Sequence, residues 1–113
     1  MNSGDLAEQT AARYLQGLGL KLLETNYRCR FGEIDLVMQD GKTVVFVEVR
    51  QRRNERFGGA AASIDLHKQG KLVRTAQHYL SSLSRAPQCR FDVVLMSDTA
   101  GMDIEWLKNA FTA

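Results

Sequence analysis

The chain has 113 residues, 44% of them hydrophobic and 25% charged, with a formal net charge of +2. That length suits one domain with a single core, burying roughly two thirds of the unfolded chain's surface, and the proportions exclude disorder, coiled coil and fibre. No apolar run exceeds four residues, Val44–Val47 being one such run, so no helix here reaches the length needed to span a bilayer.

In chain order, the first predicted element is a helix. Asp5 and Glu8 have the spacing of a capping box, and Ala7, Ala11, Tyr14, Leu15 and Leu18 recur at helical spacing as its core-facing stripe before Gly17 and Gly19. Residues 21–30 form a first strand, reversed at Phe31-Gly32. In the second strand, Glu33 to Met38, alternation sets Ile34, Leu36 and Met38 against Glu33, Asp35 and Val37. Asp40-Gly41 signals a tight hairpin, and the returning strand Thr43–Arg50 sets Val45, Val47 and Val49 against Val44, Phe46, Glu48 and Arg50. Residues 51–64 read as a flexible loop. A second helix over 65–83 has Leu66, Val73, Ala76, Leu80 and Leu83 as its buried stripe and His67, Lys71, Arg74 and His78 on its outward face. After Pro87 comes a strand over 89–96. A short strand over 103–107 and a final turn holding Phe111 complete the order α-β-β-β-α-β with a C-terminal addition, an α/β sandwich with a mixed sheet.

The N-terminus, Met1 to Asp5, lacks a basic segment followed by an apolar one, so a cytoplasmic location is expected, with Cys29 and Cys89 as reduced structural thiols in strands. His67 and His78 lie about three helical turns apart and cannot share a metal. Charge is unevenly spread. Residues 1–49 have net charge −2, whereas residues 50–92 carry nine basic and three acidic side chains. Arg52, Arg53 and Arg56 in the loop, with Gly58 and Gly59 beside them, and Lys68, Lys71 and Arg74 on the second helix form a candidate phosphate track; a solvated loop and helix face is the alternative for each. The linear sequence holds no aromatic cluster suited to base stacking, which favours recognition of backbone and shape.

The hairpin carries the chemistry. Asp35 and Glu48 each interrupt an apolar strand, on the face opposite its regular aliphatic row. A carboxylate in that setting must be paired, hydrogen-bonded or on a metal. Two on adjacent strands make a hard oxygen site for Mg²⁺ or Mn²⁺, which can polarise a phosphodiester and help ionise an attacking water. Pairing of Glu48 with Arg28 or Arg30 is the plainer account. Glu33 either adds charge at such a site or pairs with a neighbouring arginine. Asp92 is expected to pair with Arg90 or Arg50.

Asp35, twelve residues, then Glu48-Val49-Arg50 resembles the PD-(D/E)xK signature of restriction-endonuclease-like nucleases. More specifically, GEIDLVMQDGKTVVFVEVRQR, followed by RFGGAAASIDLHKQGKLVRTAQHYL and RFDVVLM, resembles the YraN-type bacterial family over nearly the whole chain. That family is related by fold to archaeal Holliday-junction resolvases. The resemblance implies a restriction-endonuclease-like αβββαβ core in one nuclease-like domain over 1–113. It also implies metal ligation by Asp35, Glu48 and the Val49 carbonyl, with Glu8 as an assisting first-helix acid and Gln69 as an accessory polar residue. Glu8 as a helix cap or surface acid, and Gln69 as an ordinary helix residue, remain open. Ile34 replaces the signature's proline, which only shapes the strand. Arg50 replaces its lysine: arginine stays charged and cannot act as a base, although it can neutralise phosphorane charge and orient water.

Three functions follow as expectations: a Mg²⁺- or Mn²⁺-dependent endonuclease on DNA, including branched or repair intermediates; a DNA-binding module of the same fold that no longer cleaves; and a protein-interaction domain docking through its second helix. Resolvase relatives act as two-fold homodimers, so the resemblance allows a homodimer on DNA, but no residue of the sequence marks a dimer interface and the oligomeric state stays open; no membrane partner is expected.

Overall fold

A computed structural model of the chain describes residues 3–51, 64–97 and 103–112. Helix α1 spans Ser3–Gly17; strands β1 (Lys21–Cys29), β2 (Gly32–Asp40) and β3 (Thr43–Gln51) form a meander; helix α2 (Leu66–Ser81) crosses over to β4 (Gln88–Met96), and β5 (Ile104–Phe111) completes the sheet. The strands lie side by side in chain order. All neighbours are antiparallel except β3 and β4, which the α2 crossover makes parallel. This is an α/β fold with a five-stranded mixed sheet and two helices, consistent with a restriction-endonuclease-like core.

The sheet separates two apolar clusters. On one face, Ala7, Ala11, Ala12 and Leu15 of α1 pack on Leu36, Met38, Val45, Val47, Val94 and Met96, the alanines allowing a close approach. On the other, Leu72 and Ala76 of α2 meet Val37, Val44, Phe46, Phe91, Val93 and Leu95. The predicted opposition of Val45, Val47 and Val49 to Val44 and Phe46 is found, as a strand buried on both faces requires.

Several local expectations are corrected. Helix α1 starts at Ser3, so Asp5 lies inside its first turn, where its charge suits the helix dipole, and is not the cap. Tyr14 and Leu18 are exposed; Ala12 takes the remaining buried position. Helix α2 is capped by Asp65, whose carboxylate accepts the Lys68 N–H at 2.8 Å. Leu66, at the helix start, is 83% exposed and Leu83, beyond the end, is also exposed; of the expected stripe Ala76 is buried and Val73 and Leu80 pack partly buried on the core, while Leu72 and Thr75 are the buried residues it lacked. The first reversal centres on Arg30 and Phe31, closed by the Cys29–Gly32 pair. Strand β5 runs on through Phe111, whose ring stacks on Phe91, where a final turn was expected.

Ile34 also departs from simple alternation, packing in the α2 cluster while Leu36 and Met38 face α1. The cause lies around Asp35. The β2–β3 pairing ends at Leu36–Val47, and opposite Asp35 on β1, between the pairs Thr25–Leu36 and Tyr27–Ile34, Asn26 holds a φ of 50°. At the far edge of the sheet Asn109 of β5 has a φ of 54°. Asp92 is buried at the centre. It accepts from Arg90 Nε, Trp106 Nε1 (2.9 Å) and the Asn109 N–H (2.9 Å), and Arg90 reaches on to Asp40, so the expected pairing with Arg90 is found within a larger network.

Candidate metal and nucleic-acid site

Where the β2–β3 ladder stops, side chains replace backbone. Asp35 Oδ2 accepts the Val49 N–H at 2.8 Å, so the carboxylate holds the two strands where a carbonyl would otherwise do so. Its carboxyl is also hydrogen-bonded to that of Glu48 on β3. The two acids singled out in the sequence are therefore side by side.

Their electrostatics are strained. Burial, then the hydrogen bond to Glu48 and its charge, push the Asp35 carboxyl from 3.8 up to about 9, with Glu8 adding to the effect and the Val49 N–H opposing it. Glu48 is only 7% exposed and has cationic neighbours, Lys68 Nζ at 3.0 Å and Arg50 Nη2 at 3.4 Å. The expected partners Arg28 and Arg30 are not these: Arg28 pairs with Glu33 across the β1–β2 ladder. The Arg50 Nε is buried without a hydrogen-bond partner in the described structure.

A cleft of about 230 Å³ is lined by Gly32, Glu33, Asp35, Glu48, Lys68, Lys71 and Leu72. Glu8 approaches from α1, and carboxylate oxygens of Glu8, Glu33 and Asp35 lie within 4.8 Å of one another. Glu8 is held by Asn26 Nδ2 at 2.7 Å, which makes it neither a helix cap nor a freely solvated acid. Glu33 satisfies both of its sequence readings at once, pairing with Arg28 while joining the acidic group. Gln69 directs its amide to the Ile64 carbonyl at 2.9 Å and so fastens the start of α2. Lys71 lines the cleft, and Arg74 is exposed one turn further along the helix. Arg52, Arg53, Arg56, Gly58 and Gly59 lie outside the described residues.

Sequence reading missed Lys68 as a partner of Glu48, because it judged the lysine only by its helix stripe. It also missed Asn26, whose signal was an asparagine within a strand, a residue that strands disfavour and left-handed backbone tolerates. It also missed that Tyr27, Phe31, His78 and Tyr79, separated in sequence, bring their rings together where α2 docks on the first turn.

Oxygen donors of this kind and spacing fit Mg²⁺ or Mn²⁺, ions that use one or two carboxylates and complete their shell with carbonyl and water.

A family model described as the uncharacterised protein family UPF0102 matches residues 7–96, a span that includes Glu8, Asp35, Glu48, Arg50 and Lys68. A UPF0102 protein of Nitrosospira multiformis is 59% identical over 108 residues, 96% of this chain and 91% of its own length. One of Nitrosomonas europaea is 59% identical over 110 residues, 97% of this chain and 93% of its own. One of Methylococcus capsulatus is 52% identical over 112 residues, 98% and 91%. The YraN-type resemblance noted from the hairpin motifs is to this same family, and the chain belongs to UPF0102.

Proposed function

We propose that the chain is a divalent-metal-dependent endonuclease acting on DNA, with branched or repair intermediates as its substrates. The observation that carries this reading is the meeting of Asp35 and Glu48 in one cleft where β2 and β3 part, with Glu8 and Glu33 close to Asp35 and with Lys68 and Lys71 in the same lining. A merely structural acid would be expected to have its pKa lowered by a cation. Asp35 does not fit that account: burial, then Glu48 beside it, raise its pKa, while the nearby cations Lys68 and Arg50 pair with Glu48.

Asp35, Glu48 and the Val49 carbonyl would hold Mg²⁺ or Mn²⁺, with Glu8 and Glu33 as nearby acceptors. When bound, the ion would neutralise the packed acids and polarise a phosphodiester. Arg50, beside Glu48, then supplies a permanent positive charge toward the phosphorane oxygens. Lys68 and Lys71 position the phosphate at the rim, and Arg74 with Arg52, Arg53 and Arg56 extends the grip along the backbone.

A second reading, a DNA-binding module without cleavage, is favoured by one observation: Arg50 stands in the lysine place and, with Lys68, already neutralises Glu48. One assay separates the two. Labelled four-way-junction, flap and linear duplex DNA are incubated with Mg²⁺, Mn²⁺ or EDTA, using wild type, Asp35→Asn and Glu48→Gln. Metal-dependent product that falls about 10²-fold or more in both variants supports the nuclease. Salt-sensitive binding with no product under any condition supports the module, and cleavage that survives Asp35→Asn refutes the assigned site.

A further inference from the structure

The β1–β2 turn carries a large aromatic residue where turns usually have small polar ones. Phe31 belongs to neither core cluster, unlike Tyr27 and Tyr79, which pack against the α2 cluster. The Arg30 guanidinium lies 4.8 Å from the Phe31 ring centre, and the His78 ring meets Phe31 edge-on at 6.2 Å. The turn is held firmly. Gly32 has a φ of 150° and lies so close to α2 that an added Cβ would stand 3.1 Å from Thr75 Oγ1. The Tyr27 hydroxyl is hydrogen-bonded to His78 Nδ1, and the Phe31 N–H donates to Cys29 Sγ at 3.4 Å. Directly after the turn, Gly32 and Glu33 line the cleft that contains Asp35 and Glu48. The Phe31 ring and the Arg30 guanidinium thus sit in the turn that leads directly into the cleft-lining residues Gly32 and Glu33, and Gly32 lies next to Lys71.

We infer that the Arg30–Phe31 turn is a stacking platform for an unpaired nucleobase next to the scissile phosphate, which makes DNA with splayed or single-stranded nucleotides at a branch the preferred substrate class over continuous duplex. The inference rests on the proposed nuclease reading of the cleft. Bases within a duplex are stacked on one another and offer no free π-face, whereas a splayed base does, and both aromatic rings and arginine planes accept one. Because the turn is already locked by α2, little conformational freedom is lost when a base docks on it. Arg30 and Lys71 are placed to take the phosphates that flank the stacked base, and this contact is sequence-tolerant because every base has a face to offer.

The test measures binding by full-length Asp35→Asn protein to a fork with two splayed arms and to a duplex of equal length, by fluorescence anisotropy. A 2-aminopurine in the arm next to the branch reports stacking. The fork binds more tightly than the duplex, and 2-aminopurine is quenched on binding. Adding Phe31→Ala lowers fork affinity about tenfold, changes duplex affinity less than about twofold and abolishes the quench, while adding Phe31→Trp keeps both the preference and the quench. Unchanged melting of the Phe31→Ala protein separates this from loss of fold. Equal losses on fork and duplex, or no loss on either, overturn the platform. If wild type still cuts with metal in that case, only the platform has failed. If wild type neither cuts nor binds DNA, the nuclease reading fails and the platform with it.

Discussion

Replacing Asp35 by asparagine should stabilise the metal-free protein at alkaline pH. In the unfolded chain this carboxyl ionises near 3.8; in the fold it keeps its proton until about 9. Between those values the native state holds a proton that the unfolded state releases, so raising the pH favours unfolding and this source of stability is lost progressively up to about pH 9. Over pH 5–8 the ceiling is about 4 kcal/mol, at about 1.4 kcal/mol per pH unit. The proton is shared with Glu48 and the cleft opens to solvent, so about half of that, about 2 kcal/mol, is the expected effect. Asparagine imitates the protonated acid: its carbonyl oxygen can accept the Val49 N–H and its amide can donate to Glu48. The assay is urea unfolding of wild type and Asp35→Asn in EDTA at pH 5, 6.5 and 8. Wild type should lose stability relative to the variant by about 2 kcal/mol across the range, and millimolar Mn²⁺ should restore wild type at pH 8 and leave the variant little changed. Parallel pH profiles for the two proteins would refute the buried shared-proton account.

Three further outcomes follow from other contacts. Asp92→Ala strips partners from Arg90, Trp106 and the Asn109 N–H, and should cost about 3–5 kcal/mol in urea unfolding while leaving Mn²⁺ binding at the cleft intact. Gly32→Ala forces a side chain into a positive-φ position against Thr75 and should cost about 1–3 kcal/mol, read as a fall in melting temperature. Lys68→Met removes the nearer cation from Glu48; Mn²⁺ should bind about two- to fivefold more tightly by calorimetry, and DNA should bind more weakly.

How far the sequence could be read depended on the range of the signal. Period-two alternation in residues 43–50 placed every valine of β3 on its observed face, because a strand paired on both sides has no freedom to depart from the pleat. The same rule failed for Ile34, which lies past the last β2–β3 pair, Leu36–Val47, where a carboxylate–backbone bond replaces the ladder, and next to the left-handed Asn26 on β1. Helix ends were less legible: Leu66 and Leu83 match the apolar period but lie at or beyond the ends of α2, where there is no sheet left to cover them. Asp35 and Glu48 stood out because a charge in an apolar strand is costly wherever the fold places it. Lys68 did not, since lysine on a helix surface is ordinary until tertiary packing brings Glu48 to it. Phe31 and His78 are 47 residues apart, and only the docking of α2 on the first turn brings their rings together.

The non-glycine residues with left-handed backbone among those described, Asn26 and Asn109, fall one on each outer strand of the sheet. A sheet edge is a template for another strand only while its N–H and C=O groups stay in regular register. On β1 that register is broken by the extra residue between Leu22 and Glu24 and the backbone is turned left-handed at Asn26, and the β4–β5 register shifts across Asn109. Both margins therefore resist extension into a longer sheet, and the exposed charges of Lys21, Glu24, Arg28 and Lys108 strengthen that resistance. Growth by strand addition, the common route from a five-stranded sheet to amyloid-like stacking or swapped dimers, is disfavoured at both ends by the same kind of side chain that, on β1, also steadies the acid of the first helix.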